Sequence, residues 1–140
     1  MPTVLFVCQG NIFRSQVAEA FFNAWAPEGW RAVSGGTNPK AAIHPEAVAL
    51  MAEMGIDISH QKPKSLDLNV AASAWRVIAM CSMPTCPVDI ADKTEHWEVV
   101  DPADLPRERW PEIREDIAER VKALIREIGR TTPIAARENR

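Results

Sequence analysis

The stretch Thr3-Val4-Leu5-Phe6-Val7-Cys8-Gln9-Gly10-Asn11-Ile12-Phe13-Arg14-Ser15 narrows what this chain can become more than any other. Its apolar, β-branched run bounded by Gly10 and Asn11 predicts a buried strand, and the Ala, Glu and Phe content from Ser15 through Trp25 predicts a helix. A tight loop between that strand and that helix surrounds one point with backbone N–H groups that lack intrahelical partners, at the positive end of the helix dipole. The chain is therefore expected to hold an oxyanion there.

The residue choices make that cradle reactive. Cys8 stands at its mouth, where helix-terminal N–H groups and a nearby guanidinium favour thiolate over thiol. Arg14 offers a planar fork that can hold two oxygens of a tetrahedral oxyanion, which a lysine point charge cannot do. Gly10 and Asn11 are expected to adopt positive φ so that successive N–H groups converge, and Ser15 to hydrogen-bond the Cys8 sulfur. No Gly-Lys-Ser/Thr follows, which argues against a nucleotide-binding P-loop.

The 140 residues read as one domain, 1–140, in which 130–140 form a polar, flexible tail. A charged fraction of 25% and a net charge of -3 leave no broad basic surface for nucleic acid, so the anion preference must be local. No basic leader and no long apolar run is present, which argues for no membrane association and a cytoplasmic setting; a monomer is expected. Three cysteines suit reactive thiols in a reducing compartment better than a disulfide framework. Cys8, Cys81, Cys86 and His96 lack the Cys-x2-Cys knuckle of a structural zinc site, so no structural zinc is expected.

Along the chain, Trp30 to Ser34 predicts a second strand, followed by a loop over Gly35-Gly36-Thr37-Asn38-Pro39. Glu46 through Met54 predicts a helix with Val48, Met51 and Met54 on its apolar face, closed by Gly55, with His44 as a turn or capping residue. Ile56 to Ser59 reads as an extended link, and Ser65 as the cap of a small helix. Trp75 to Met80 is the next buried strand, ending in Cys81, and Trp97 to Val100 is a further short one that runs into Asp101-Pro102. From Arg107 to Ile128, apolar residues at Trp110, Ile113, Ile117, Val121, Leu124 and Ile128 predict a long terminal helix with one buried stripe. Strands alternating with helices imply an α/β fold: a parallel four-stranded sheet with helices on both faces and reactive residues at the strand C-terminal ends. Cys8, Cys81 and Asp101 all fall there. Pro84 and Pro87 argue for a bend around Cys81 and Cys86, which lets those two sulfurs approach.

Cys-x-Gly-Asn-x-x-Arg-Ser directly after the first strand, followed by Ala18 and Glu19, resembles the low-molecular-weight protein tyrosine phosphatase superfamily, which includes the thioredoxin-coupled arsenate reductases. Cys81 and Cys86 occupy the place of the reductases' extra cysteine pair, and Gln16, Glu95-His96-Trp97 and Ala103 after Asp101-Pro102 also look like that branch. The similarity runs from Thr3 to the terminal helix.

The resemblance implies arsenate reduction by three thiols, with Cys8 as nucleophile and Cys81 and Cys86 as resolving residues, recycled by thioredoxin and with no metal or organic cofactor needed. Gln9, Gly10, Asn11, Ile12, Phe13 and Arg14 would bind the oxyanion, with phosphate or sulfate competing, and Asp101 would donate a proton to the departing oxygen. Phe13 replaces a cysteine of many relatives, and the interval between Cys81 and Cys86 is shorter than in familiar reductases. Reductases that bind potassium near the loop carry an acidic residue about where Lys64 stands; here the Lys64 ammonium is expected to replace that cation beside Glu19, Asn11 and Ser34. Two other readings stay open: a phosphomonoesterase that uses Cys8, Arg14 and Asp101 alone, and an oxyanion-sensing module without turnover.

Overall fold

The computed structural model describes residues 2–80 and 94–131. In chain order its elements are β1 (Thr3–Cys8), α1 (Arg14–Trp25), β2 (Arg31–Gly36), α2 (Pro45–Ala52), α3 (Leu68–Ser73), β3 (Arg76–Ala79), β4 (Thr94–His96) and α4 (Trp110–Thr131). Short 3-10 turns occupy Pro102–Asp104 and Arg107–Arg109. The described strands form one parallel sheet in the order β2-β1-β3-β4, as the alternation of strand and helix patterns implies. Among the described residues no helix is long and apolar enough to cross a membrane.

β1 is central and buried from Val4 to Cys8, and its alternating side chains feed two cores. Val4, Phe6 and Cys8 pack with residues of α1, α2 and α4, including Phe21, Met51 and Ile117; Leu5 and Val7 pack with Ala71 and Ala74 at α3. Helices thus cover both faces. The stripe Trp110, Ile113, Ile117, Val121, Leu124 and Ile128 of α4 is buried along its length, each aliphatic member contributing roughly 1.5–3 kcal/mol through lost contact with water. From β1 the chain crosses first to β2 on one side and then back to β3 on the other. The C-terminal end of β1 is therefore the switch point at which open α/β sheets bind their ligands.

Several expected boundaries move, each for a physical reason. β2 runs through Gly35 and Gly36 instead of ending at Ser34. A β-carbon on Gly35 would stand 2.9 Å from Leu66 Cα, and one on Gly36 would stand 2.7 Å from the Gln9 carbonyl oxygen, so these glycines permit close backbone approach within the strand. The buried face of α2 is Ala47, Leu50 and Met51, while Met54 is 40% exposed beyond the helix end; Gly55 takes φ +76° there. Asp67, not Ser65, caps α3, its Oδ1 accepting from the N–H groups of Asn69 and Val70, while Ser65 bridges to Gly36. The 56–59 link is pinned by the buried Ile58 and turned by Asp57, which accepts from both the N–H and the hydroxyl of Ser59.

The fourth strand lies at Thr94–His96, before the expected Trp97 to Val100. Trp97 still donates its N–H to Ala79 O at 2.9 Å, but its ring and Val99 fill the core beyond the ladder, which explains the apolar signal. The terminal helix begins at Trp110, after the 3-10 turn at Arg107–Arg109. Cys81 and Cys86, and the tail from 132 on, lie outside the described residues.

Candidate active site

The loop from Gln9 to Phe13 leaves β1 and enters α1 with all its carbonyls turned to protein donors. The N–H groups of Thr37, Asn38, Lys40 and His44 donate to the carbonyl oxygens of Cys8, Gln9, Gly10 and Ile12 at 3.2, 2.8, 3.1 and 3.1 Å. The Asn11 carbonyl accepts from Gln16 Nε2 at 3.1 Å, and that of Phe13 from Val17 N–H at 2.8 Å. Six successive acceptors are thereby occupied. Among the described residues the N–H groups of Gly10, Ile12, Phe13 and Arg14 engage no backbone acceptor, and no side chain caps α1. The cradle thus presents donors only, the composition an oxyanion requires.

Cys8 Sγ sits in this loop, buried and in no disulfide among the described residues, 3.2 Å from the Asn11 N–H and 2.8 Å from Ser15 Oγ. Asn11 Nδ2 donates to that same Ser15 oxygen at 2.8 Å, which leaves the serine proton free to point at sulfur. The sulfur thus has hydrogen-bonding groups on two sides.

Behind the loop, Asn11 organises a buried network. Its backbone has φ +54°, whereas Gly10 does not take positive φ, so the expected convergence depends on Asn11 alone. Asn11 Oδ1 accepts from the Lys64 N–H at 2.9 Å and from Gln16 Nε2 at 3.0 Å, which fixes the amide orientation. Its Nδ2 also donates to Ser34 Oγ at 3.0 Å, and Ser34 donates to Glu19 Oε1 at 2.5 Å. Lys64 Nζ lies 3.3 Å from Ser34 Oγ and 3.5 Å from Glu19. Asn11, Ser15 and Gln16 are fully buried, and every buried polar side-chain atom described has a partner.

Arg14 is 11% exposed and oriented by the far side of the sheet. Its Nη1 donates to Met80 O at 2.9 Å and Val99 O at 3.3 Å, while Nη2 lies 3.6 Å from Asp101 Oδ2. Nη1 is thus spoken for by carbonyls, and the Nε and Nη2 edge remains for an oxyanion. Asp101 Oδ1 accepts from Ala103 N–H at 2.9 Å, so this residue both caps a turn and presents its other oxygen beside Arg14.

These groups line a cavity of about 360 Å³. One wall is aromatic: the Phe13, His44 and Trp110 rings meet edge to face with centroids 5.0 to 6.4 Å apart. Burial, then the positive charge of Arg107, hold the His44 pKa below its ordinary value, and His44 Nδ1 caps α2 by accepting from the Glu46 N–H at 3.0 Å.

The structure thus brings Cys8, the 9–14 loop, Ser15 and Asp101 together, with Glu19, Ser34 and Lys64 behind. Sequence reasoning missed the strap at Thr37, Asn38, Lys40 and His44, the supporting bonds of Gln16, and the place of Trp110 in the cavity wall. Gln16 had a faint local signal as an amide beside the loop. The strap had none, since its bonds exist only once β2 lies beside β1.

A family model for low molecular weight phosphotyrosine protein phosphatase matches residues 3–133. The arsenate reductase 2 of Staphylococcus haemolyticus is 32% identical over 127 residues, covering 87% of this chain and 95% of that protein. The thioredoxin-dependent arsenate reductase of Corynebacterium glutamicum superposes with a TM-score of 0.80 at 30% identity, covering 94% of this chain and 64% of the other. A low molecular weight protein tyrosine phosphatase from T. tengcongensis superposes with a TM-score of 0.79 at 31% identity, covering 91% and 99%.

Proposed function

The chain belongs to the low molecular weight phosphotyrosine protein phosphatase family, and within it we propose that it reduces arsenate to arsenite. The observation that carries this reading is the donor-only loop closed around a buried thiol. The cysteine pair further along the sequence and the arsenate reductases among the relatives favour reduction over ester cleavage.

In the proposed sequence, arsenate enters the loop and the Nε and Nη2 edge of Arg14 holds its equatorial oxygens. The Cys8 sulfur attacks arsenic; an S–As bond forms as an As–O bond breaks, and the departing hydroxide takes a proton from Asp101 and leaves as water. Cys81 then attacks the Cys8 sulfur. An S–S bond forms, the electron pair of the S–As bond passes to arsenic, and the metalloid leaves as arsenite. Cys86 attacks Cys81 in turn, freeing Cys8, and an external dithiol protein of the thioredoxin kind reduces the Cys81 to Cys86 disulfide. One described feature supports Cys81 as the first resolving residue: Met80, which precedes it in the chain, is tied to Arg14 through its carbonyl.

The phosphomonoesterase reading has its own observation. Asp101 beside Arg14 is also what ester cleavage needs, and Phe13, His44 and Trp110 give the cavity an apolar wall against which an aryl group can pack. Substituting Cys81→Ser separates the two. Loss of thiol-coupled arsenate reduction with aryl-phosphate hydrolysis retained supports the relay; reduction that continues unchanged contradicts it.

A further inference from the structure

Lys40 has no role in the chemistry above, yet the loop holds it at the substrate's entrance. Its N–H donates to Gly10 O at 3.1 Å, which fixes its backbone against the cradle. Its stem then crosses Gly10: Lys40 Cγ and Cε each lie 3.4 Å from where a β-carbon on Gly10 would stand. Arg14 and Lys40 are the Lys and Arg side chains that line the cavity among the described residues. Lys64 and Lys122 are both paired with carboxylates, whereas Lys40 is exposed and forms no ion pair among the described residues.

Charge balance gives that placement its meaning. In the reaction proposed above Cys8 attacks as an anion and Asp101 gives up a proton, so the thiolate cancels the single positive charge of Arg14 in the lining, and Arg14 is in addition turned toward the Met80 and Val99 carbonyls. Without a second cation a dianionic oxyanion would find no net positive charge in that lining. The Lys40 ammonium supplies that cation at the exposed rim, where its field reaches the dianion through solvent and is open to screening by salt.

We propose that Lys40 is the substrate-capturing cation of this cavity, raising its affinity for dianionic tetrahedral oxyanions without entering the bond-making step. This rests on the oxyanion reading of the Cys8 loop. The test compares Lys40→Met, which keeps the backbone bond and the stem over Gly10, with Lys40→Arg, which keeps the charge. The readouts are inorganic phosphate binding to the reduced protein and the KM and kcat for arsenate, in low and high sodium chloride. At low salt Lys40→Met should weaken phosphate binding and raise KM by about 10-fold, with kcat within about twofold of the parent. The difference should shrink at high salt, and Lys40→Arg should restore affinity to within about threefold. Unchanged phosphate affinity in Lys40→Met, an equal loss in kcat, or no rescue by arginine overturns the proposal for Lys40 alone. A parent protein that binds neither phosphate nor arsenate overturns the oxyanion reading as well.

Discussion

The Lys64 N–H donates to Asn11 Oδ1 at 2.9 Å across 53 positions of sequence, so the loop that holds Cys8 is braced from the segment leading into α3. Asn11 spends every polar atom of its side chain in this way, on Lys64, Gln16, Ser15 and Ser34. Replacing Asn11→Ala strands those buried partners and leaves a β-carbon at φ +54° without compensation. The expected cost is about 2–4 kcal/mol in denaturant unfolding, with loss of most Cys8 reactivity because Ser15 is no longer held against the sulfur. A variant as stable and as reactive as the parent would contradict the bracing role.

Asp101 lines the same cavity as Cys8, with one oxygen on the Ala103 N–H and the other facing Arg14. Asp101→Asn keeps an oxygen for the turn but cannot supply a proton. The expected kcat falls by about 100-fold or more, with inorganic phosphate still bound because the amide keeps the residue's size and its bond to the turn. A kcat near that of the parent would remove Asp101 from the reaction.

Lys64 Nζ fills the space between Ser34 and Glu19 with a fixed positive charge. Turnover should therefore be indifferent to exchanging sodium for potassium at constant ionic strength. In Lys64→Ala, Glu19 and Ser34 lose that cation, and potassium is expected to recover part of the lost activity. Potassium stimulation of the unsubstituted protein would show that the ammonium does not replace the ion.

His44 must be neutral to accept the Glu46 N–H at Nδ1, so its other ring nitrogen carries the proton. Its folded pKa is depressed by burial and then by Arg107, so protonation favours the unfolded chain. The contribution of this cap is present above the ordinary value of 6.5 and is lost as pH falls through the depressed folded value. Ring titration by NMR should give a midpoint below 6.5, and His44→Ala should flatten the acid limb of the stability profile. A midpoint above 6.5 would contradict the burial argument.

How much of this was legible in the sequence depended on how local each signal was. The run from Thr3 to Ser15 placed β1, the loop and α1 within one residue, because strand burial, turn chemistry and helix content all act over a few positions. The stripe of α4 was readable because a helix repeats its own pattern. Trp97 and Val99 misled, since apolar character marks burial and not strand pairing, and both are buried just past the last ladder bond. Ser65 and Asp67 are equally good caps by type, and only the bridge of Ser65 to Gly36 decides between them. The strap on the loop carbonyls was invisible because backbone donors have no sequence signature.

Coupled turnover separates reduction from ester cleavage in one assay: NADPH consumption by thioredoxin and its reductase on addition of arsenate to the protein. Oxidation is expected to depend on arsenate, to yield arsenite, and to disappear in Cys8→Ser. Hydrolysis of an aryl phosphate with no arsenate-dependent NADPH consumption would contradict the proposed reduction.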